Sequence, residues 1–332
     1  MRIGKFFSVK NESVINTKTN TRKHIYLSWD DLYKEDEVLT NNINNIMETI
    51  LPNFLIVGAQ KCGTTTLYDI LNEHPEANMS SVKEINFFSF NNKFIKGLSH
   101  YSSYFKKPTE KHKITGEASP GYMNYPGIAE KISNNLGKVK IVMILRDPIK
   151  RGYSQYWDDR RHLKEYFTEN EIIQEYLSAE YETTSKGYFS RGVYIKYIEE
   201  YLKYFSRDKM HIMIFEDLIK NPKKELFELY DFLGIDNSEQ FLKLPKPSNS
   251  SIIWVNPIYN FLLKNPGHTK RIPLHARRLF FFGKKRTYKY GLPSQKNMKI
   301  LQDFYRPWNE KLEDFLGCKL TGWNHFNSKA EK

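Results

Sequence analysis

The amino-acid sequence predicts a three-layer α/β/α domain built around a central parallel sheet. Three features of the 332 residues lead to this prediction: short apolar runs of strand length, segments of helical periodicity between them, and a glycine-bracketed turn after the first run. Short apolar runs are typical of strands that are buried on both faces of a parallel sheet. Strands that alternate with helices also favour a parallel sheet between two helix layers.

The first strand–turn–helix unit begins at the apolar run Phe54–Val57. A turn bounded by Gly58 and Gly63 follows this strand. The segment Thr64–Leu71 then carries its apolar residues on one helical face. His74 and Pro75 come just after this segment, so the helix is expected to end before them.

The second unit begins at Lys140–Leu145, which is the clearest strand in the sequence. Arg146 and Asp147 end this strand, and Pro148 suits the first turn of the helix that follows. Three further elements are predicted toward the C-terminus: a helix over Tyr194–Phe205, a strand over Met210–Phe215, and a helix over Pro222–Leu233 that is closed by Gly234.

The domain organisation follows from changes in composition. Residues 1–50 are rich in Asn, Thr, Lys and Asp without sustained periodicity, so they predict a loosely ordered segment with one candidate short helix near Trp29–Tyr33. Residues 51–325 are expected to form the main domain, and 326–332 a tail. Within that domain, residues from about 254 to 289 form an aromatic and basic insertion.

The charge balance indicates an anionic partner. Lys and Arg number 51 against 38 Asp and Glu, which gives a formal net charge of +13. Such an excess favours nucleic acid, acidic polysaccharide, anionic lipid or a phosphorylated cofactor, and it also fits solubility alone. Charge does not choose among these partners.

Hydropathy and cysteine content exclude several classes of protein. The longest apolar runs are of strand length, well below the roughly 18 residues that a membrane span needs. The first residues lack the apolar stretch of a secretory signal, so a cytoplasmic location is expected, with peripheral membrane contact as a further option. The only two cysteines, Cys62 and Cys318, predict neither a disulfide framework nor a zinc site.

The turn after the first strand predicts an anion-binding site. A strand that passes through glycines into a helix N-terminus presents backbone N–H groups and the positive end of the helix dipole. Gly58 and Gly63 have the spacing of the nucleotide-triphosphate loop G-x-x-x-x-G-K-[ST]. However, Thr64 stands where the lysine of that loop should follow, and the lysine of this loop is Lys61.

The residue at the end of the second strand supports the same distinction. In nucleotide triphosphatases of this kind, a later apolar strand ends in an Asp that helps to hold Mg²⁺. Here the strand ends in Arg146, and a cation at that position suits a bare phosphate better than a metal ion. The sequence therefore favours a nucleotide that carries two separated phosphates and needs no metal.

Two motifs resemble those of a known family. Phe54–Thr65 resembles the 5′-phosphosulfate loop of sulfotransferases that use 3′-phosphoadenosine-5′-phosphosulfate (PAPS), most of all the heparan sulfate N- and 3-O-sulfotransferases. Arg146–Ser154 resembles their 3′-phosphate element, in which the Arg and the Ser eight positions later bind the 3′-phosphate. Three further segments occur in the family's order: Glu117–Pro120, Arg191–Tyr194 and Asp303–Asn309. The likeness runs from about Pro52 to Trp323, and it implies a fold of the P-loop nucleotide-hydrolase type.

The resemblance also implies roles for individual residues. Glu84, in a segment similar to the one that holds the family's proposed base, would accept the proton of the acceptor. Lys61 would stabilise the charge that builds on the leaving phosphate. The residues implied in donor binding are Lys61, Cys62, Gly63, Thr64, Thr65 and Thr66 in the loop, Arg146 and Ser154 at the 3′-phosphate, and Arg191.

The sequence also departs from the family's pattern. Ala118 and Asn86 replace a lysine and a histidine that some members carry, and the late cysteine-flanked hairpin is replaced by the insertion 254–289. The family places a Gly-Lys-rich loop over the 3′-phosphate in this region, so the insertion residues Lys284, Lys285 and Arg286 are candidates for that role. The same stretch could contact a membrane surface or an anionic acceptor.

Three functions are therefore weighed. The first is a PAPS-dependent sulfotransferase that acts on a hydroxyl or amine, with a saccharide or glycoconjugate favoured by analogy and no metal expected. The second is a nucleotide-dependent kinase or triphosphatase, which the positions of Lys61 and Arg146 disfavour. The third is a non-enzymatic protein that binds an anionic polymer; nucleic acid is not expected, because no recognisable nucleic-acid-binding module is present.

Overall fold

The computed structural model describes residues 49–165, 167–178, 186–242, 252–287 and 291–323. The chain divides into two compact units, Met1–Thr49 and Ile50–Lys332, and the described elements belong to the second. The candidate helix near Trp29–Tyr33 and the predicted tail lie outside the described residues.

Five parallel strands form the central sheet. They are β1 (Phe54–Gly58), β2 (Ala77–Met79), β3 (Ile114–Ala118), β4 (Lys140–Leu145) and β5 (Met210–Ile214). Their order in the sheet is β2-β3-β1-β4-β5, with every neighbouring pair parallel. The order reverses direction at β1, and ligands of open α/β sheets bind at the carboxyl ends of the strands at such a point.

Helices connect these strands and flank the sheet. The α-helices are α1 (Thr64–Asn72), α2 (Asn91–Phe94), α3 (Gly97–Ser102), α4 (Ile128–Leu136), α5 (Pro148–Arg161), α6 (Glu169–Ser178), α7 (Tyr194–Leu202), α8 (Phe215–Lys220), α9 (Pro222–Leu233), α10 (Pro257–Lys264) and α11 (Gln295–Leu316). Short 3₁₀ helices lie at Ser190–Gly192, Arg207–Lys209, Glu239–Phe241, Pro266–Arg271 and Ala276–Phe280. Within the described ranges, none of these helices combines the length and apolar character that a membrane span requires.

The predicted α/β/α architecture is confirmed, and its core lies where the apolar runs indicate. All five residues of β1 are buried, as are five of the six residues of β4. The predicted apolar face of α1 is buried as well, through Leu67, Ile70 and Leu71. Gly234 caps α9 with a left-handed φ of 82°, which is the backbone conformation that its position predicts.

Two predicted elements end earlier than expected. Two strands of the sheet, β2 and β3, are not predicted from the sequence. The helix predicted to Phe205 ends at Leu202 and continues as a turn, with the amide of Tyr204 bonded to the carbonyl of Tyr201. The strand predicted to Phe215 ends one residue earlier, where α8 begins. Strands β2 and β3 lack a continuous apolar run because both carry buried polar side chains.

The basic and aromatic insertion is packed against the end of α5. Strands β6 (Ile252–Val255) and β7 (Lys284–Thr287) form a two-stranded antiparallel sheet, and α10 lies between them in the sequence. The hydroxyl of Tyr259 donates to the carbonyl of Arg161 at 2.7 Å, and the guanidinium of Arg277 donates to the carbonyl of Leu163. The insertion is therefore anchored beside the C-terminal end of α5.

Candidate active site

The loop between β1 and α1 forms the centre of the site. Gly63 precedes α1 with a left-handed φ of 94°, a conformation that favours glycine. A β-carbon at this position would lie 2.8 Å from the ring of Phe215, so the close approach of that ring also requires glycine. The first amides of a helix have no acceptor within it and carry the positive end of its dipole. The start of α1, Thr64 to Thr66, is thus suited to bind an anion.

Lys61 connects this loop to two other elements. It has a left-handed φ of 67°, and its carbonyl accepts a hydrogen bond of 3.2 Å from Nη1 of Arg146. Its ammonium Nζ lies 3.3 Å from Oδ2 of Asp158 on α5. The two motifs that the sequence predicts for the two phosphates therefore meet at Lys61.

Arg146 lies at the carboxyl end of β4 with its guanidinium 5.1 Å from the centre of the Phe215 ring. Its Nε atom is buried and has no hydrogen-bond partner within the described part of the chain. A buried donor of this kind is costly unless a ligand satisfies it. Ser154, predicted to share the same phosphate, is on α5 one turn before Asp158, and Lys150 is one turn before Ser154.

The start of α5 is fixed by a buried carboxylate. Oδ1 of Asp147 accepts from the amides of Ile149 at 2.9 Å and Lys150 at 3.2 Å, which is the bonding of an N-cap. The amide of Asp147 in turn donates to Oε1 of Glu216 at 3.1 Å. Burial raises the pKa of Glu216. These bonds hold the stripe of Ser154 and Asp158 beside the loop.

A third cation reaches the loop from the segment before α7. Nη1 of Arg191 donates to Oε1 of Gln60 at 2.6 Å, and burial lowers the pKa of its guanidinium. The structure therefore places Lys61, Arg146 and Arg191 around one loop.

Cys62 contributes to packing at this loop. Its thiol is buried beside the hydroxyl of Tyr194, with Sγ and Oη 3.6 Å apart. Burial raises the pKa of this thiol to about 11, so it is protonated at neutral pH. Its amide donates to the carbonyl of Ala59 at 3.3 Å. A role of Cys62 in donor binding stays a prediction.

The segment that contains Glu84 lies beside the same loop. The amide of Glu84 donates to the carbonyl of Ala118 at 2.9 Å, and the amide of Asn86 donates to Oγ of Ser119 at 2.9 Å. The side-chain amides of Gln60 and Asn86 both approach Gly121, within 3.6 and 3.7 Å of an added β-carbon. The segment thus meets the loop at the carboxyl end of β3.

Backbone conformation marks this region as well. Lys61, Glu84 and Asn86 are non-glycine residues with positive φ, which is costly and tends to occur at functional sites. The Glu84 carboxylate forms a 2.8 Å ion pair with its neighbour Lys83 and is 49% exposed. It is therefore accessible to an acceptor.

A hydrogen-bond network around a buried carboxylate contacts this segment through Ser119. Glu117 on β3 accepts from Ser119 Oγ at 2.6 Å, from the hydroxyl of Tyr101 at 2.6 Å and from that of Tyr122 at 2.9 Å. Burial raises the pKa of Glu117, although these three donors oppose the rise. Ser119 connects this network to the backbone of Asn86.

The structure places the three candidate insertion residues on the short strand β7. Lys284 and Lys285 are exposed on β7, and Arg286 pairs with Ile253 through the backbone of the hairpin. Their predicted role at the 3′-phosphate stays a prediction, and so does the membrane contact of this insertion.

The sequence prediction missed two residues of the site, Asp158 and Gln60. The signal for Asp158 was its spacing of four residues from Ser154, which places both on one face of α5. A run of two Asp and two Arg residues is more typical of a solvated helix face, so that signal was weak. Gln60 adjoins Lys61 in the loop and carries no charge, so its bond to Arg191 had no sequence signal.

The site suits a phosphorylated nucleotide. The Nε of Arg146, which has no hydrogen-bond partner among the described residues, can donate to an anion. The start of α1 after Gly63 can bind an anion through its backbone amides. No group of three or more His, Cys, Asp or Glu side chains is placed to hold a metal ion in the residues that the structure describes.

A parallel sheet with an anion loop after its central strand defines the P-loop class of nucleotide-binding folds. The family model described as a sulfotransferase domain matches residues 51–260. This chain belongs to the sulfotransferase family, as the resemblance of its two phosphate motifs implies.

Similar proteins agree with this assignment. Bifunctional heparan sulfate N-deacetylase/N-sulfotransferase 4 of Mus musculus is 30% identical over 292 residues, which cover 82% of this chain and 31% of that protein. Heparan sulfate glucosamine 3-O-sulfotransferase 5 of Mus musculus is 28% identical, with 82% of this chain and 74% of that protein covered. Membrane-associated sulfotransferase kil1 of Dictyostelium discoideum is 26% identical, with 56% of this chain and 57% of that protein covered. The chain thus spans less than two thirds of two of these three relatives.

A solved structure shares the fold. A sulfotransferase from Alicyclobacillus acidocaldarius superposes with a TM-score of 0.58 at 22% identity, covering 82% of this chain and 99% of that one.

Proposed function

We propose that this protein transfers a sulfuryl group from PAPS to a hydroxyl or amine of an acceptor. The observation that carries this proposal is the convergence of Lys61, Arg146 and Arg191 on one helix-start loop. The donor carries a 3′-phosphate and a 5′-phosphosulfate on one ribose, so it needs cations at two neighbouring places, and these three residues come from three separate elements. Membership of the sulfotransferase family supports the proposal.

Each residue has a task in this reaction. The donor supplies a sulfuryl group on a good leaving group, the 5′-phosphate. Lys61 and the amides of Thr64 to Thr66 stabilise the charge that builds there as the sulfur–oxygen bond to the phosphate breaks. Arg146 and Ser154 bind the 3′-phosphate, the former through charge-assisted hydrogen bonds.

Glu84 takes the proton of the acceptor. As the acceptor oxygen or nitrogen bonds to sulfur, its proton passes to the carboxylate of Glu84. This carboxylate must then turn from Lys83, with which it pairs at 2.8 Å. An exposed ion pair contributes little, about 0–1 kcal/mol, so this turn is inexpensive.

The acceptor is proposed to be a saccharide or glycoconjugate. Relatives named as heparan sulfate sulfotransferases support this class. The net charge of +13 would favour an acidic acceptor over a neutral one.

Calorimetric titration in EDTA tests the donor. Adenosine 3′,5′-bisphosphate is expected to bind without metal and far more tightly than ATP–Mg²⁺ does in a parallel titration. Arg146→Ala should weaken the binding of the bisphosphate by about tenfold or more, because a hydrogen bond to a charged group contributes about 1.5–3 kcal/mol. It should change the affinity for adenosine 5′-monophosphate little.

The exposed Arg207 provides the control, since Arg207→Ala removes the same charge and should leave both affinities unchanged. A preference for ATP–Mg²⁺ would favour a kinase or triphosphatase instead. Equal weakening of both nucleotides by Arg146→Ala would contradict its assignment to the 3′-phosphate.

A further inference from the structure

Asp158 is a carboxylate beside the proposed donor site that the reaction as described does not use. Its Oδ2 lies 3.3 Å from the ammonium of Lys61, and both side chains are partly exposed, at 30% and 27%. Both residues can therefore change partners without rearranging the core.

Asp158 has two further neighbours that can carry positive charge, at the C-terminal end of α5 and just after it. Its Oδ1 accepts a hydrogen bond from Nε of Arg161 at 2.8 Å, and Nδ1 of His162 lies 3.7 Å away. Burial raises the pKa of Asp158, but the charges of Lys61, Arg161 and His162 outweigh it and lower the pKa overall. Asp158 is therefore ionised at neutral pH, with a cation that stays beside it if Lys61 leaves.

Lys61 is needed in two places. In this structure its ammonium pairs with Asp158, whereas the proposed reaction requires it at the 5′-phosphosulfate. An anionic donor and the Asp158 carboxylate would repel each other, and both would compete for the ammonium of Lys61.

We propose that Asp158 is a positioning residue. It holds the ammonium of Lys61 beside the loop between β1 and α1 and releases it to the donor. Arg161 keeps the Asp158 carboxylate paired after the exchange, so the release leaves no charge without a partner. The exchange turns Lys61 toward the phosphosulfate only when the donor is bound. This inference rests on the proposed function.

A double-mutant cycle tests the exchange. Adenosine 3′,5′-bisphosphate is titrated in EDTA, at fixed ionic strength, into wild type, Asp158→Asn, Lys61→Met and the double variant. Asp158→Asn should tighten binding by about threefold to tenfold, since it frees Lys61, and by less than about twofold when Lys61 is already Met. Coupling of this size is typical of residues in contact.

Asp159→Asn is the matched control. It removes the same charge from the neighbouring position on α5, where Asp159 accepts from the hydroxyl of Tyr188 at 2.8 Å. This variant should not show coupling to Lys61→Met. Circular dichroism spectra confirm that each variant is folded.

Several outcomes would overturn the inference. Equal tightening in both Lys61 backgrounds would mean that Asp158 only repels the ligand. Unchanged or weaker binding, with a large loss of turnover, would assign Asp158 to proton transfer instead. Failure of wild type to bind the bisphosphate would overturn the proposed function as well, whereas binding without coupling removes only the role of Asp158.

Discussion

At the scale of a single residue, replacing Glu84 tests whether its carboxylate acts in catalysis or in binding of the donor. Its side chain is exposed and pairs with Lys83, so its replacement should leave the loop at Lys61 intact. Glu84→Gln is expected to lower kcat by about 10²–10⁴-fold, the usual contribution of general base catalysis. The Kd of adenosine 3′,5′-bisphosphate should change by less than about threefold.

Steady-state kinetics and calorimetry on the same preparations check this expectation. Glu130, an exposed residue of α4, provides the control, because Glu130→Gln changes the charge equally. Comparable losses of kcat and of nucleotide affinity would show that Glu84 positions the donor.

At the scale of elements, the sequence predicts the strands whose burial is entirely apolar. β1 and β4 are such strands, and the motifs at their ends are the ones proposed to bind the two phosphates. β3 escapes prediction because Thr115 and Glu117 interrupt its apolar pattern, although both are buried. Their burial depends on partners that are distant in sequence, such as Tyr101 for Glu117. A pattern within one segment cannot reveal such partners.

The same reason limits prediction of the site. Residues within a motif, such as Lys61 and Arg146, are predicted from their place in that motif and from its resemblance to the family's. The pair of Lys61 with Asp158 joins the loop to a helix that follows another strand, and only the tertiary structure brings them together. The Gln60–Arg191 bond likewise depends on tertiary structure.

The Glu117 network predicts a pH dependence for the stability of β3 and its neighbours. The raised pKa of Glu117 means that the folded state binds its proton more tightly than the unfolded state. Stability from this group is therefore full below the ordinary pKa of 4.5 and falls as the pH rises toward the raised value. Glu117→Gln removes this fall, because glutamine does not ionise.

Urea denaturation at a series of pH values measures the difference in the free energy of unfolding between wild type and Glu117→Gln. The variant is expected to lose about 1–3 kcal/mol at low pH through poorer hydrogen bonding. This deficit should shrink as the pH rises above 4.5. A deficit that stays constant with pH would show that Glu117 has the same pKa in both states.

At the scale of the whole molecule, the described contacts pack the chain against the core from Ile50 onward. Ile50 and Leu51 pack against the core that surrounds β1, and the amide of Ile50 donates to Oγ of Ser102 on α3 at 2.7 Å. The sheet, the loop and the cations of the candidate site all lie after these residues. The unit Ile50–Lys332 thus contains every group to which a role in sulfuryl transfer is assigned.

A chain that begins at Thr49 is accordingly expected to fold and to bind adenosine 3′,5′-bisphosphate with a Kd within about twofold of the full chain, because it keeps the whole unit Ile50–Lys332 and every group assigned to the site. Thermal unfolding and calorimetric titration compare the two chains. A second truncation that begins at Gly58 is the control, and it should not fold, because it removes the buried residues of β1. If the chain from Thr49 folds but loses nucleotide affinity, residues 1–48 contribute to the site. If it fails to fold, they belong to the domain itself.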